Sequence, residues 1–348
     1  VNGGRGGSLT GSVDEQTVTI ALDAEGGDRA PGEVVAGALQ AASPALHVLL
    51  VGRPDELEPY LQGAGDANIE VVQSGEVITS DEDPARAVRN KVDASIVVGA
   101  RAVAEGRAEG FVSAGSTGAM LAAGLLVVRR VKGVSRPAIV TVLPGLNGPL
   151  VFLDAGANSD CRPEHLVEFG VLGSVFAREM LGIKSPRVAL LNIGEEPTKG
   201  DSLTKEAHRL MRVALPQFTG NVEGRELFYD SADVIVTDGF TGNVTLKVLE
   251  GTAASLFQRV KHASVRDTRS KVGGFLLKPA LVSLRDSLDP EEYGGTYLLG
   301  VRGLMVICHG SSTRRAIKNA LEFAAAAARQ KVVGRVEEEI ARINGSGV

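Results

Sequence analysis

From residue 17 onward, short continuous apolar runs rich in β-branched residues alternate with longer amphipathic stretches. The runs at 18–22, 47–51, 69–72, 110–113, 138–143, 150–153, 188–193, 234–237 and 304–308 predict strands. Most are apolar at consecutive positions, the pattern of strands covered on both faces. The stretches at 31–42, 84–105, 117–130, 164–181, 202–213, 243–262 and 313–331 have helical length and predict helices. This alternation predicts an α/β fold, a three-layer α/β/α arrangement around a mostly parallel sheet. No internal repeat and no low-complexity linker follows residue 16. The expected plan is therefore a flexible tail over 1–16, a single α/β catalytic domain over 17–331 and a C-terminal tail over 332–348.

The ends of the predicted strands carry the chemistry. In open α/β sheets ligands bind beyond the carboxyl ends of strands, where helix N-termini present unpaired N–H groups. Six runs lead into Gly-rich polar turns, at 23–28, 113–118, 154–158, 194–200, 237–243 and 309–312. One such turn is ordinary helix capping. Six of them, rich in small hydrogen-bond donors, predict a polar cleft receptive to anions. The 43 glycines among 348 residues fit many tight turns and close approaches of backbone to ligand.

Composition removes several function classes. Net charge is −5, Trp is absent and aromatic residues make up 4%, which argues against a nucleic-acid platform. The two cysteines, Cys161 and Cys308, form no CxxC pair or disulfide framework, which fits a reducing cytoplasm. No apolar run reaches the length of a membrane helix. No GxGxxG opens a helix after a strand, and P-loop, HExxH and G-x-S-x-G motifs are absent, so no cofactor and no metal is expected. Cys161 has His165 four residues on, but reads as an inert thiol at a helix start rather than an activated nucleophile.

Taken together the loops resemble bacterial phosphate acyltransferases, the acyl-carrier-protein:phosphate transacylases of phospholipid synthesis. The likeness runs from about residue 17 to 327. It is carried by DAEGGDRAP (23–31), SAGSTGAM (113–120), DAGANSDCRPEHL (154–166), LNIGEEPTKGDSLTKEA (191–207), GNVEGREL (220–227), TDGFTGNVTLKVLEG (237–251), YGGTYLLGVRG (293–303) and HGSS (309–312). The resemblance implies a homodimeric fold similar to isocitrate and isopropylmalate dehydrogenases. It implies transfer of a long-chain acyl group from acyl-carrier protein to inorganic phosphate, giving acyl phosphate. Glu25 and Arg29 stand where the family usually has Met and His, and Thr313 where it usually has Asp, so the edge of the pocket is expected to differ.

That chemistry needs little covalent apparatus. Phosphate is already nucleophilic near neutral pH, and a thiol with a pKa of about 8.5 leaves readily as thiolate. The enzyme must desolvate phosphate, aim it and stabilise an oxyanion, where each donor contributes about 3–4 kcal/mol. Lys199, in the loop before a helix, is the expected catalytic cation; the alternative is a solvated loop lysine. Asn243 is the expected donor to the carbonyl oxygen, with helix capping as its alternative. Asp238 is expected to orient Lys199 or Asn243. Gly115, Ser116, Thr117, Asn158, His309, Gly310, Ser311 and Ser312 are expected to bind phosphate or substrate. A coenzyme A-dependent phosphate acetyltransferase shares such a cleft. An isocitrate-type dehydrogenase needs metal-binding aspartates and an arginine cluster for its hydroxy acid, and these are not found. A membrane scaffold is a third alternative.

A helical segment at about 256–290 turns basic, with Arg259, Lys261, Arg266, Arg269, Lys271, Lys278 and Arg285. A solvated helix face has the same pattern. Because the implied carrier protein is strongly acidic, the segment is expected to dock it. Phe275, Leu276, Leu277, Leu281, Leu284 and Leu288 recur there at helical spacing. Dimer or core packing is the expectation for them, and contact with anionic lipid the alternative. The resemblance also implies a cytoplasmic protein, peripheral on the inner face of the membrane in some members, near the downstream glycerol-3-phosphate acyltransferase.

Overall fold

The computed structural model describes residues 17–287 and 294–345. Eleven strands among them form one sheet in the order β3-β2-β1-β4-β11-β10-β5-β6-β9-β7-β8. The strands are β1 (Val18–Asp23), β2 (Leu46–Gly52), β3 (Ile69–Gln73), β4 (Gly110–Ser113), β5 (Ala138–Gly145), β6 (Gly148–Leu153), β7 (Val188–Asn192), β8 (Phe218–Glu223), β9 (Val234–Val236), β10 (Thr296–Leu299) and β11 (Leu304–Ile307). The helices are α1 (Gly32–Ala41), α2 (Pro54–Leu61), α3 (Pro84–Asn90), α4 (Ser95–Ala104), α5 (Thr117–Ala123), α6 (Pro163–Leu181), α7 (Ser202–Ala214), α8 (Gly239–Ser264), α9 (Thr268–Ser287), α10 (Arg314–Arg329) and α11 (Val332–Gly345).

The expected α/β/α layering is present. On one face α1, α6, α10 and α11 share one continuous core with Ile20, Leu22, Val140, Leu153, Leu190 and Val234 of the sheet. On the other, α4 and α5 cover Ala21, Phe111, Met305 and Ile139. Continuous apolar runs were needed because both faces of the central strands are covered.

One feature of the sheet departs from expectation and decides the site. β5 and β6 form an antiparallel hairpin, closed where Gly145 pairs with Gly148. Strands β6, β9, β7 and β8 run parallel to one another but opposite to β1, β2, β3, β4 and β11. The sheet thus consists of two parallel halves of opposite direction. Between them β10 and β5 are each antiparallel to both of their neighbours.

Other differences are local. The helix expected over 84–105 breaks into α3 and α4, because the chain between them is tied to Glu76 by a bridge at Ala94. The helix expected over 117–130 is α5 followed by a π-helical turn at Gly124–Val128. The expected C-terminal tail is instead helical over Val332–Gly345: α11 buries Val332, Val336 and Ile340 against α6, so its apolar spacing serves the core. The basic segment forms the end of α8 and all of α9. Core packing of its apolar residues is not observed: Phe275 is 77% and Leu276 72% exposed. Tyr293 and Leu288, and the 1–16 tail, lie outside the described residues.

Candidate active site

The loops after β1, β4 and β11 gather at one end of the sheet. Asp23, buried at the end of β1, accepts a hydrogen bond from Ser113 Oγ at 2.7 Å and from the Glu25 N–H at 3.1 Å. Burial raises its pKa above the usual carboxylate range. Gly26 is required here, since a Cβ would meet Asp23 Oδ2, the Gly115 N–H and Ser113 Oγ within 3 Å. Asp28 N–H donates to the Gly310 carbonyl at 2.7 Å, joining the first loop to HGSS. Ser116 caps α5 by accepting from Ala119 N–H, and Thr117 is exposed beside it. His309 Nδ1 faces Ser311 Oγ at 2.8 Å, while the buried Ser312 Oγ has no hydrogen-bond partner among the described residues. Glu25 is tied to Arg53 Nε at 2.5 Å and to Ser74 Oγ at 3.1 Å, so this departure from the family pattern joins the loops after β1, β2 and β3. Thr313 takes up the N-cap of α10 that an Asp would serve equally well.

The loops after β6, β7 and β9 leave the sheet in the opposite direction, with Asp154 at their centre. This buried carboxylate accepts from the N–H groups of Ile139, Gly156 and Ala157 through Oδ1, and from the Asn158 N–H and Nδ2 through Oδ2, at 2.8–3.1 Å. Burial raises its pKa despite these donors. Glycines bring α8 against this loop: a Cβ on Gly242 would fall on the Asp154 carbonyl, and one on Gly239 would meet Asn158 backbone at 2.6 Å. Asn243, exposed, stands against Gly156.

Several expected roles change with this geometry. Asn158 is unavailable as a phosphate donor, since its side-chain N–H groups go to Asp154 and to the Pro137 carbonyl at 2.7 Å. Asn243 is not a cap, because α8 begins earlier, at Gly239. Asp238 is that cap, accepting from Thr241 N–H at 2.9 Å, and no hydrogen bond or ion pair among the described residues joins it to Lys199 or Asn243. Lys199 is exposed in the 193–201 loop, its carbonyl held by Asn192 Nδ2 at 3.2 Å. Cys161 donates to the Asn158 carbonyl, and burial pushes its thiol up to about 11, away from nucleophile chemistry. No group of three or more His, Cys, Asp or Glu side chains suited to a metal occurs among the described residues.

The six loops expected to form one cleft therefore leave their strands as two groups of opposite direction. The strand register puts Asp154 level with Ile139, two rows from Ile307 and three strands away. At about 3.3 Å per residue and 4.8 Å per strand, the two loop starts stand roughly 16 Å apart. The sequence reading also missed a cavity beside Asn158, lined by Arg130, Arg136 and Arg162. Its signal was slight: three arginines scattered over 130–162, none in a recognisable motif.

A sheet with helices on both faces and Gly-rich polar loops at its strand ends defines an α/β protein of the class that places its ligand sites at strand ends. The chain belongs to the fatty acid synthesis protein family, whose sequence profile matches residues 18–335. It is 50% identical over 325 residues to a phosphate acyltransferase of Heliobacterium modesticaldum, covering 92% of this chain and 97% of that one. It is 49% identical over 316 residues to that of Moorella thermoacetica, covering 90% and 93%. The chain is a transferase of this phosphate acyltransferase type. Its fold is shared with the EutD phosphotransacetylase from Staphylococcus aureus, at a TM-score of 0.59 and 19% identity over 90% of this chain and 94% of that one.

Proposed function

We propose that the protein moves a long-chain acyl group from an acyl-carrier-protein thioester to inorganic phosphate, releasing acyl phosphate for phospholipid synthesis. The observation that carries this reading is the near full-length identity to phosphate acyltransferases. The site chemistry supports it: loops rich in small donors, and a half-buried thiol whose raised pKa disfavours an acyl-enzyme. Phosphate attacks the thioester carbonyl directly; the carbonyl–sulfur bond breaks, and the carrier leaves as thiolate.

In this reading Asn243 and Lys199 serve the reacting groups at the β6/β7/β9 end. Asn243 donates to the carbonyl oxygen beside the Gly156 loop, and the Lys199 ammonium offsets developing negative charge. Asp238 positions α8 as its cap. Gly115, Ser116, Thr117, His309, Gly310, Ser311 and Ser312 hold the remainder of the substrate, and the unpartnered Ser312 hydroxyl supports a polar ligand there. Arg259, Lys261, Arg266, Arg269 and Lys271, on or between α8 and α9, dock the acidic carrier in a homodimer; all five are exposed. No helix among the described residues is long and apolar enough to cross a membrane. The uncovered Phe275, Leu276 and Leu277 favour peripheral contact with lipid or with a second copy.

Palmitoyl-carrier protein and phosphate, incubated with the enzyme, should yield acyl phosphate (trapped as hydroxamate) and free carrier thiol in equal amounts. Thiol release without hydroxamate would overturn the reading. Lys199→Ala should lower kcat about 10²–10³-fold with an unchanged melting temperature. Near wild-type turnover would remove Lys199 from the site.

A further inference from the structure

The roles above leave unused a cavity of about 670 Å³ next to the 154–158 loop. Its volume falls in the range of about 300–1,000 Å³ common for small-molecule sites. Leu121, Leu125 and Leu298 supply an apolar wall, and Arg130, Arg136 and Arg162 a cationic one. It shares the 154–158 loop with the site just described: Ala157 and Asn158 line the cavity, while Gly156 lies against Asn243.

The cavity arginines are not tied up in short ion pairs. Some arginines of the chain are paired, such as Arg53 with Glu25, Arg187 with Asp233 and Arg314 with Glu33. Among the described residues none of the three cavity arginines forms an ion pair. Arg130 donates to the Ser135 carbonyl and Arg162 to the His165 ring, and neither partner carries negative charge. The adjacent Glu168 accepts from the N–H and hydroxyl of Ser135, at 2.8 and 2.6 Å, and from the Arg136 N–H at 3.5 Å, but forms no ion pair with the three guanidiniums. Burial, followed by the neighbouring Arg162, lowers the pKa of His165. Three guanidiniums lining one space offer an anion several charge-assisted donors at once. Their planar forks suit the oxygens of a phosphate. The leucine wall suits hydrocarbon, whose burial contributes about 0.8 kcal/mol per CH₂.

We propose that this cavity seats the acyl phosphate, its phosphoryl group among Arg130, Arg136 and Arg162 and the first part of its chain along Leu121, Leu125 and Leu298. The assignment rests on the acyl-phosphate chemistry proposed above. Product formed beside Asn243 would pass across the shared loop into a site where its phosphoryl charge is neutralised.

Dodecyl phosphate, which has no acyl group to transfer, is the probe for calorimetric titration of the full-length protein. Inorganic phosphate and dodecanoate are titrated in parallel, because a fatty carboxylate also joins an anion to a chain. Dodecyl phosphate should bind at least about tenfold more tightly than either. Arg136→Gln and Arg162→Gln should each weaken it about tenfold or more. Leu125→Gln should weaken dodecyl phosphate and leave inorganic phosphate unchanged. Arg136 and Leu125 are exposed, so melting temperatures should stay at the wild-type value. Equal affinity for dodecanoate, or unchanged binding in the arginine variants, would overturn the assignment. Acyl-phosphate formation is assayed separately. An enzyme that makes acyl phosphate yet binds dodecyl phosphate equally well as Arg136→Gln keeps its function and loses this site; one that makes none loses both.

Discussion

Asp23 and Asp154 are two buried carboxylates at the ends of strands, one in each half of the sheet, and they do different work. Asp154 accepts five hydrogen bonds, four of them from backbone N–H groups, and so fixes the path of its own loop. Asp23 accepts from the Glu25 N–H and from a side chain on another strand, Ser113 Oγ, so it links two loops more than it shapes one. In both, burial raises the carboxyl pKa. The same residue type after the same kind of strand is a loop organiser on one side and a cross-link on the other. The number of backbone donors aimed at it makes the difference.

The comparison breaks most sharply at Asp154. Asp154→Ala strands several buried donors at about 1–3 kcal/mol each, so a loss of roughly 4 kcal/mol or more in urea denaturation is expected. Asp23→Ala removes fewer bonds and should cost about 2 kcal/mol. Equal losses would mean that the two carboxylates play one role after all. Protonation distinguishes them from surface carboxylates: groups raised by burial favour folding below the unfolded pKa, and that contribution fades as pH rises through the folded value.

Cys161 sharpens the picture of the β6 end as structural at its root. With its thiol near 11, alkylation by iodoacetamide should be slow at pH 8 and accelerate as pH approaches 11. Cys161→Ser should retain most of the activity; its abolition, with the fold intact, would revive a covalent route. The smallest effect belongs to the β1 half. Arg314 holds the partly exposed Glu33 carboxyl at about 2 against an ordinary value of 4.5. Its contribution is present above pH 4.5 and is lost as pH falls toward 2. Glu33→Gln should therefore flatten the acid end of the stability curve and leave neutral pH nearly untouched, as thermal melts across that range would report.

Much of this architecture was legible in the chain. Strands β1, β2, β4, β5, β6, β7, β9 and β11 announced themselves because burial on both faces demands unbroken apolar runs. β8 did not, since it is an edge strand whose Thr219, Gly220 and Asn221 face partial exposure. β10 was hidden inside a Gly-rich motif and has only four residues. The loop chemistry was legible as residue types, but Asn158 and Asp238 show the limit. A polar side chain near a site is a ligand donor or a scaffold donor according to which backbone groups stand within about 3 Å, and one-dimensional order does not carry that.

The sequence by itself determined the α/β layering, the Gly-rich loops at strand ends and the family, because local hydrophobic period and turn composition encode them. The tertiary structure decided that those loops leave their strands as two groups of opposite direction and that three separate arginines share one cavity. The β5–β6 hairpin is the physical reason. Its tight turn, Leu146-Asn147 between the paired Gly145 and Gly148, reverses the strands of the half that follows it in the sheet, and so sets which chain ends meet in space.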